Sequence, residues 1–263
     1  MSAPATRSGA ADPLLRLDHV GQRFGDVEVL ADIDFSVRRG EFVALVGPSG
    51  CGKTTLLNLC SGWLSPTSGT VDRPAQVRMV FQQDGLFPWM TVRENVHLGL
   101  RHVTRDEERS ARAASLLALI GLNGFEDHYP HQLSGGMRQR VELARALAGD
   151  TDVLLMDEPF SSLDYLTRLK MRGELARLLR ERPRTVVLVT HDIQEAAQLA
   201  DRVLVLSERP ARIRDEVTLA LARPRDVTHP EVVRAEHRIL TMLGLERDVE
   251  LDAAAAAGRE PRS

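Results

Sequence analysis

Three glycines, one lysine and two threonines fall within the nine residues Gly47-Pro48-Ser49-Gly50-Cys51-Gly52-Lys53-Thr54-Thr55. Glycine permits backbone turns that a side chain forbids, so successive N–H groups of such a loop can face one concavity and hold a phosphate. The spacing from Gly47 through Gly52 to Lys53 and Thr54 is that of a phosphate loop. It implies that Lys53 reaches the β/γ-phosphates of a nucleoside triphosphate and that the Thr54 hydroxyl meets Mg²⁺. Lysine occurs elsewhere only at Lys170, and a compact ammonium is not replaced by a planar guanidinium without cost. Further on, Leu133-Ser134-Gly135-Gly136-Met137 has an N-cap serine followed by two glycines, a second helix start suited to an anion. Asp157 and Glu158 are adjacent carboxylates after the apolar run Val153–Met156, the arrangement of a metal-holding group beside a general base. Cys51, inside the loop, is a candidate for alkylation that nucleotide would block.

These groups need elements to hold them. Phe42 to Val46 is short, apolar and β-branched, which predicts a buried strand before the loop, and Lys53 onward opens a helix. Val77–Phe81 predicts a second buried strand delivering Gln82. Thr151–Met156 predicts one delivering Asp157 and Glu158, and Thr185–Thr190 one delivering His191. Ser161-Ser162-Leu163-Asp164 then precedes a helix to about Arg180. Strands alternating with helices imply an α/β fold with a mostly parallel sheet and a ligand at the strands' C-terminal ends, where Gln82, Asp157, Glu158 and His191 all fall.

Ahead of the loop, Leu15–Leu17, Val27–Leu30 and Ile33–Val37, separated by glycines, predict an antiparallel β layer. Phe24 lies on it, either as a core aromatic or as a platform for a purine base. Val92 to Ala148 reads as helical, with a capping box at Thr104–Glu107 and a helix from Ser134 that stops at Gly149. A small strand pair around Pro210 and Val217 and a final helix capped by Thr228 and Glu231 complete the pattern. Leu86-Phe87-Pro88-Trp89 places one of the chain's two tryptophans in a loop, either tucked beneath that loop or held out for a protein partner.

At 263 residues and 43% hydrophobic content the chain can bury a substantial core. A formal charge of −3 gives no reason to expect nucleic acid as a partner. Cys51 and Cys60 are its only cysteines, too few and too placed for a disulfide framework. No apolar run approaches the roughly 18–20 residues that span a bilayer, and Met1–Asp12 lacks the form of a signal peptide. The expectation is a cytoplasmic protein that serves a membrane only through another subunit.

In this order, Gly47–Thr54, Gln82, Leu133–Met137, Asp157-Glu158, Ser161–Asp164 and His191 resemble the nucleotide-binding subunit of ABC transporters. The resemblance spans about Leu14 to Leu206, with Met137 where the commonest signature has glutamine. It implies a P-loop ATPase core at 13–90 and 150–250, an inserted α-helical signature subdomain at 91–149, and disordered termini at 1–12 and 251–263. It also implies two copies closed head to tail over two ATP molecules. Gly47 to Thr55 would hold the α/β-phosphates, Thr54 and Gln82 would ligate Mg²⁺, and Asp157 would support it from one step further out. Glu158 would be the general base, His191 would contact the γ-phosphate, and Phe24 would stack on adenine. Ser134, Gly135 and Gly136 would complete the opposite subunit's site, and Asp164 would bridge the two copies.

Two machines fit such an engine. One is a transport motor on the cytoplasmic face of the membrane, whose Gln82–Trp89 loop docks a permease and which is served indirectly by an extracytoplasmic solute-binding protein. The other is a soluble ATPase acting on ribosomes or DNA, against which stand the lack of a second cassette, a long coiled coil or a basic face. The short link from Gly69 to Met79, the loop, the signature and the Arg-Pro…Arg-Pro-Arg tail look like the nitrate/sulfonate/taurine group of importers. That implies a small anion as solute, with bicarbonate or a vitamin precursor as alternatives.

Overall fold

A computed structural model describes residues 13–81 and 85–245. Both expected frayed termini, and Gln82, lie outside the described residues.

The first layer is antiparallel. β1 (Leu15–Phe24) and β2 (Val27–Val37) form a hairpin, turned at Gly25, whose φ of +56° suits glycine. β3 (Phe42–Val46) follows in the chain, and β4 (Ser68–Asp72) pairs with the other edge of β1, giving the order β2-β1-β4. The glycine at 21 is not the separator it resembles in sequence. It lies within β1, where a Cβ would come within 2.5 Å of the Ser68 hydroxyl, so it marks close strand approach. The segments expected at 27–30 and 33–37 likewise form one strand, with the pairing shifts between β1 and β2 absorbed as bulges.

The second sheet carries the chemistry. Its order is β5 (Val77–Val80), β6 (Val153–Asp157), β7 (Thr185–Val189), β3, β8 (Arg202–Leu206) and β9 (Ile213–Thr218), with only β9 antiparallel. β3, β6 and β7 are buried at every position, which is why their sequences run apolar without alternation. β5 was expected to be buried but is the edge strand, and only Val80 is fully covered. Of the strand pair around Pro210 and Val217, Ile213–Thr218 is a strand, while Ala211 makes only an isolated bridge to Leu30.

Between β5 and β6 the chain forms α2 (Val92–Gly99), α3 (Asp106–Leu119) and α4 (Gly135–Ala148), which pack on one another. α1 (Lys53–Ser61) follows the glycine loop, α5 (Tyr165–Glu181) and α6 (Ile193–Leu199) follow β6 and β7, and α7 (Pro230–Leu243) packs on α6 and β9. Two capping boxes expected from sequence are absent. α3 begins at Asp106 with no side-chain cap; Asp106, Glu107 and Glu108 in its first turn offset the helix dipole instead. At α7 the Thr228 hydroxyl turns to Asp226, and His229 Nδ1 accepts the Glu231 N–H. A box that does form, Thr91 with Glu94 on α2, has no counterpart among those expectations.

Candidate active site

The loop after β3 is shaped by its glycines. Gly50 and Gly52 have φ of +73° and +122°, and a Cβ on Gly52 would meet Val29 at 2.7 Å. Lys53 is buried, and its ammonium donates to the carbonyls of Gly47 at 2.8 Å and Pro48 at 2.9 Å. The charge is thereby held inside the loop's concavity. Arg209, which sequence reasoning missed because it arrives from beyond β8, donates to the Gly50 carbonyl at 2.6 Å. Cys51 is only 2% exposed. An alkylating reagent therefore meets no open thiol, and the expectation of ready labelling falls.

A cleft of about 650 Å³ opens beside this loop, lined among others by Phe24, Ser49, Lys53, Thr54, Glu158 and Arg209. Phe24 is 49% exposed on its wall, so it is not a core aromatic. Asp157 is buried at the end of β6 with Thr54 beside its carboxyl. Burial pushes its carboxyl pKa up, and the nearby Glu158 charge adds to this, while the Thr54 side chain and Lys53 oppose it.

Glu158 has a left-handed backbone, φ +47°, a conformation that costs a side-chain-bearing residue on the order of 1–2 kcal/mol. Its N–H donates to the Val189 carbonyl at 2.9 Å, and its carbonyl accepts from Ser161. The turn re-aims its side chain into the cleft, where Oε1 lies 3.1 Å from His191 Nδ1. His191 is braced from behind. Asp192, the N-cap of α6, accepts the Glu195 N–H at 3.0 Å and is paired with Arg168 and with the buried Arg172. Burial works against the Asp192 charge, but these partners outweigh it and hold its pKa down. Glu195 is itself buried against the Thr190 hydroxyl, and burial raises its pKa to about 7.

The structure thus brings Phe24, the glycine loop, Lys53, Thr54, Thr55, Asp157, Glu158 and His191 to one place. It does not bring Ser134, Gly135 and Gly136 there. Ser134 caps α4, its hydroxyl accepting the Met137 N–H at 3.3 Å, and none of the three lines the cleft. Asp164 is likewise outside the cleft, at the start of α5, where its bond from Thr167 holds its pKa down. Gln82 lies outside the described residues, but the two flanking N–H groups, of Phe81 and Gly85, both donate to the buried Glu142 carboxylate at 3.1 Å. The exposed Trp89 packs against the half-buried Phe87 with the rings tilted at 58°, and the exposed Trp63 and Phe81 form another aromatic pair, 6.5 Å between centroids. Trp63 carried no signal in sequence, because it adjoins Phe81 only through the fold.

A parallel α/β sheet with a phosphate loop, a buried carboxyl on the loop's threonine and a second carboxylate aimed into the same cleft defines a P-loop nucleotide hydrolase. Its relatives narrow this further. The ABC transporter family model matches residues 30–161. The aliphatic sulfonates import ATP-binding protein SsuB 1 of Rhodococcus jostii (strain RHA1) is 48% identical over 217 residues, 80% of this chain and 85% of its own. The taurine import ATP-binding protein TauB of Pelagibacter ubique (strain HTCC1062) is 43% identical over 82% of this chain and 88% of its own. Among solved structures, dimeric MJ0796, a bacterial ABC transporter cassette, superposes with a TM-score of 0.70 at 35% identity, over 79% of this chain and 99% of that one. A dimeric post-hydrolysis state of the same cassette, bound to ADP and Pi, gives 0.69 at 34% identity over the same shares. The chain belongs to the ABC transporter family and is an ABC-type ATPase. Among the described residues no helix is long and apolar enough to cross a membrane.

Proposed function

We propose that this chain is the ATP-hydrolysing subunit of an importer for a small anion, an alkanesulfonate, taurine or nitrate, working through a partner permease. The observation that carries the reading is that Lys53, Thr54 and Glu158 line one cleft, with the buried Asp157 carboxyl beside Thr54 and His191 Nδ1 3.1 Å from the Glu158 carboxylate. The names of the relatives, sulfonate and taurine import proteins, support the solute class.

In this reading the loop from Gly47 to Thr55 and the Lys53 ammonium bind the triphosphate, and Phe24 stacks on the base. Glu158 accepts a proton from the attacking water, and His191, bonded to the Glu158 carboxylate, aims it and meets the γ-phosphate. The Thr54 hydroxyl and Asp157 carboxylate form an oxygen-only pair of the kind hard divalent cations choose. Desolvation of Asp157, which a cation would relieve, fits these residues to Mg²⁺; Gln82 would join Thr54 as ligand. Bound there, Mg²⁺ neutralises charge on the phosphate oxygens.

Ser134, Gly135 and Gly136 serve a second copy's nucleotide, and Asp164 bridges the two copies, which accounts for their positions outside the cleft. The core comprises 13–90 and 150–250, and the signature subdomain 91–149. The exposed aromatics Trp89, Trp63 and Phe81, with the half-buried Phe87 beneath Trp89, form the docking face for the permease, which holds the protein at the cytoplasmic side of the membrane and links it to a solute-binding protein. Expressed with its permease, the chain co-purifies with an integral membrane subunit in detergent; recovery only as a lone soluble dimer contradicts the importer.

The chemistry is tested by Glu158→Gln. The variant binds ATP with unchanged affinity but loses turnover by about 10²-fold or more, the loss that follows removal of a general base. Near-normal hydrolysis would overturn the assignment.

A further inference from the structure

The site just described does not explain Gln139, which lies on α4, is 4% exposed, and makes a polar bridge to another element. Its side-chain Nε2 donates to the backbone carbonyl of Glu158 at 3.1 Å. Its Oε1 accepts the N–H of Ser162 at 3.2 Å and also the Ser162 hydroxyl. The partners fix the amide's orientation, since a carbonyl only accepts and a backbone N–H only donates. One buried side chain therefore spans the turn from Glu158 to Ser162, beginning at the residue whose backbone is left-handed.

That turn also meets α4 at a second point. A Cβ on Gly136 would come within 3.0 Å of Leu163, so the glycine lets the helix start sit against the segment that Gln139 holds. Gln139 lies five positions after the N-cap Ser134. The start of α4 and the backbone of Glu158 are thus joined by one amide and one close packing contact.

We propose that Gln139 is a positioning residue for Glu158, locking the base's backbone to the helix that begins at Ser134 so that the carboxylate is aimed only while that helix is seated. The proposal rests on the reading of Glu158 as general base. It makes the seating of α4 a condition for hydrolysis rather than for nucleotide binding, because Gln139 touches the base's main chain and lines no part of the nucleotide cleft.

The test uses the full chain and three variants. Gln139→Glu keeps shape and the acceptor for Ser162 but loses the donor to Glu158; Gln139→Met keeps only shape. Ser162→Ala, at an exposed position, removes the hydroxyl and leaves the N–H. Both Gln139 variants lower kcat by about tenfold with KM for ATP within about twofold, the split that marks loss at the chemical step. Ser162→Ala gives a smaller fall in kcat with the same split. Combined with Glu158→Gln, the Gln139 substitutions add no further loss in single-turnover hydrolysis, because a base already removed cannot be misaimed. Equal changes in kcat and ATP affinity, or losses that add fully to that of Glu158→Gln, would overturn the proposal and leave Glu158 as base untouched. Should Gln139→Met fail to fold, the kcat split in Gln139→Glu and Ser162→Ala decides. A Glu158→Gln enzyme that still turns over would instead remove the reading beneath it.

Discussion

The glycine loop and the start of α4 are both helix N-termini with small residues, yet the fold treats them differently. The loop is enclosed: Val29 crowds Gly52, Arg209 ties down Gly50, and Lys53 is folded back onto two loop carbonyls. Ser134 and Gly135 are exposed, and apart from the capping bond their surroundings leave the helix end open. One helix start is walled by its own chain, and the other has only a floor. A pattern of N-cap and glycines predicts that a helix end can bind an anion; walls decide whether it does so unaided.

Phe24→Ala probes the walled site at its rim. Losing the stacking surface weakens ATP binding by about tenfold, since base–aromatic stacking is worth roughly 1–3 kcal/mol, and reduces preference for purine nucleotides. Fluorescent-nucleotide titration reads both, and an unchanged affinity would return Phe24 to the role of a bystander.

A pH-dependent effect on stability is expected beneath His191. Burial raises the Glu195 carboxyl pKa from 4.5 to about 7, so the folded chain holds that proton more tightly than the unfolded one. Its contribution to stability is complete below about pH 4.5 and is lost as pH rises through about 7. Glu195→Gln cannot titrate, and it flattens this decline by at most about 3 kcal/mol. Denaturant melts from pH 4.5 to 8 measure the difference; parallel curves for the two proteins would show that the Thr190 hydroxyl and Arg172 cancel the effect.

The sequence made the walled site legible because its chemistry is local. Gly47–Thr55 fixes its own turn, and the apolar runs at Phe42–Val46, Val153–Met156 and Thr185–Val189 are buried on both faces whatever their neighbours. The edge position of β5 was hidden, since only the strand order exposes Val77 to Met79. Thr104 and Thr228 illustrate the limit of capping patterns: α3 starts with no side-chain cap at all, while at α7 His229 takes the cap and the Thr228 hydroxyl turns to Asp226. Arg209, Gln139 and Glu142 act across 159, 19 and 61 residues of chain, and no local spacing announces such contacts. For Ser134 the motif gave the chemistry but not the wall, which in the proposed dimer belongs to another copy.

The pairing of the two helix starts across copies is open to a direct measurement. Lys53→Ala removes the ammonium from the walled site, and Ser134→Arg blocks the open one; each variant alone is inactive when assayed in the permease complex. Mixed in equal amounts during assembly, they restore about one quarter of wild-type hydrolysis, because in a two-fold dimer each site pairs one copy's loop with the other copy's Ser134 helix, which leaves one intact site in every mixed dimer. If the mixture stays as inactive as its components while each still assembles, the two helix starts do not meet across copies and the account fails at its centre.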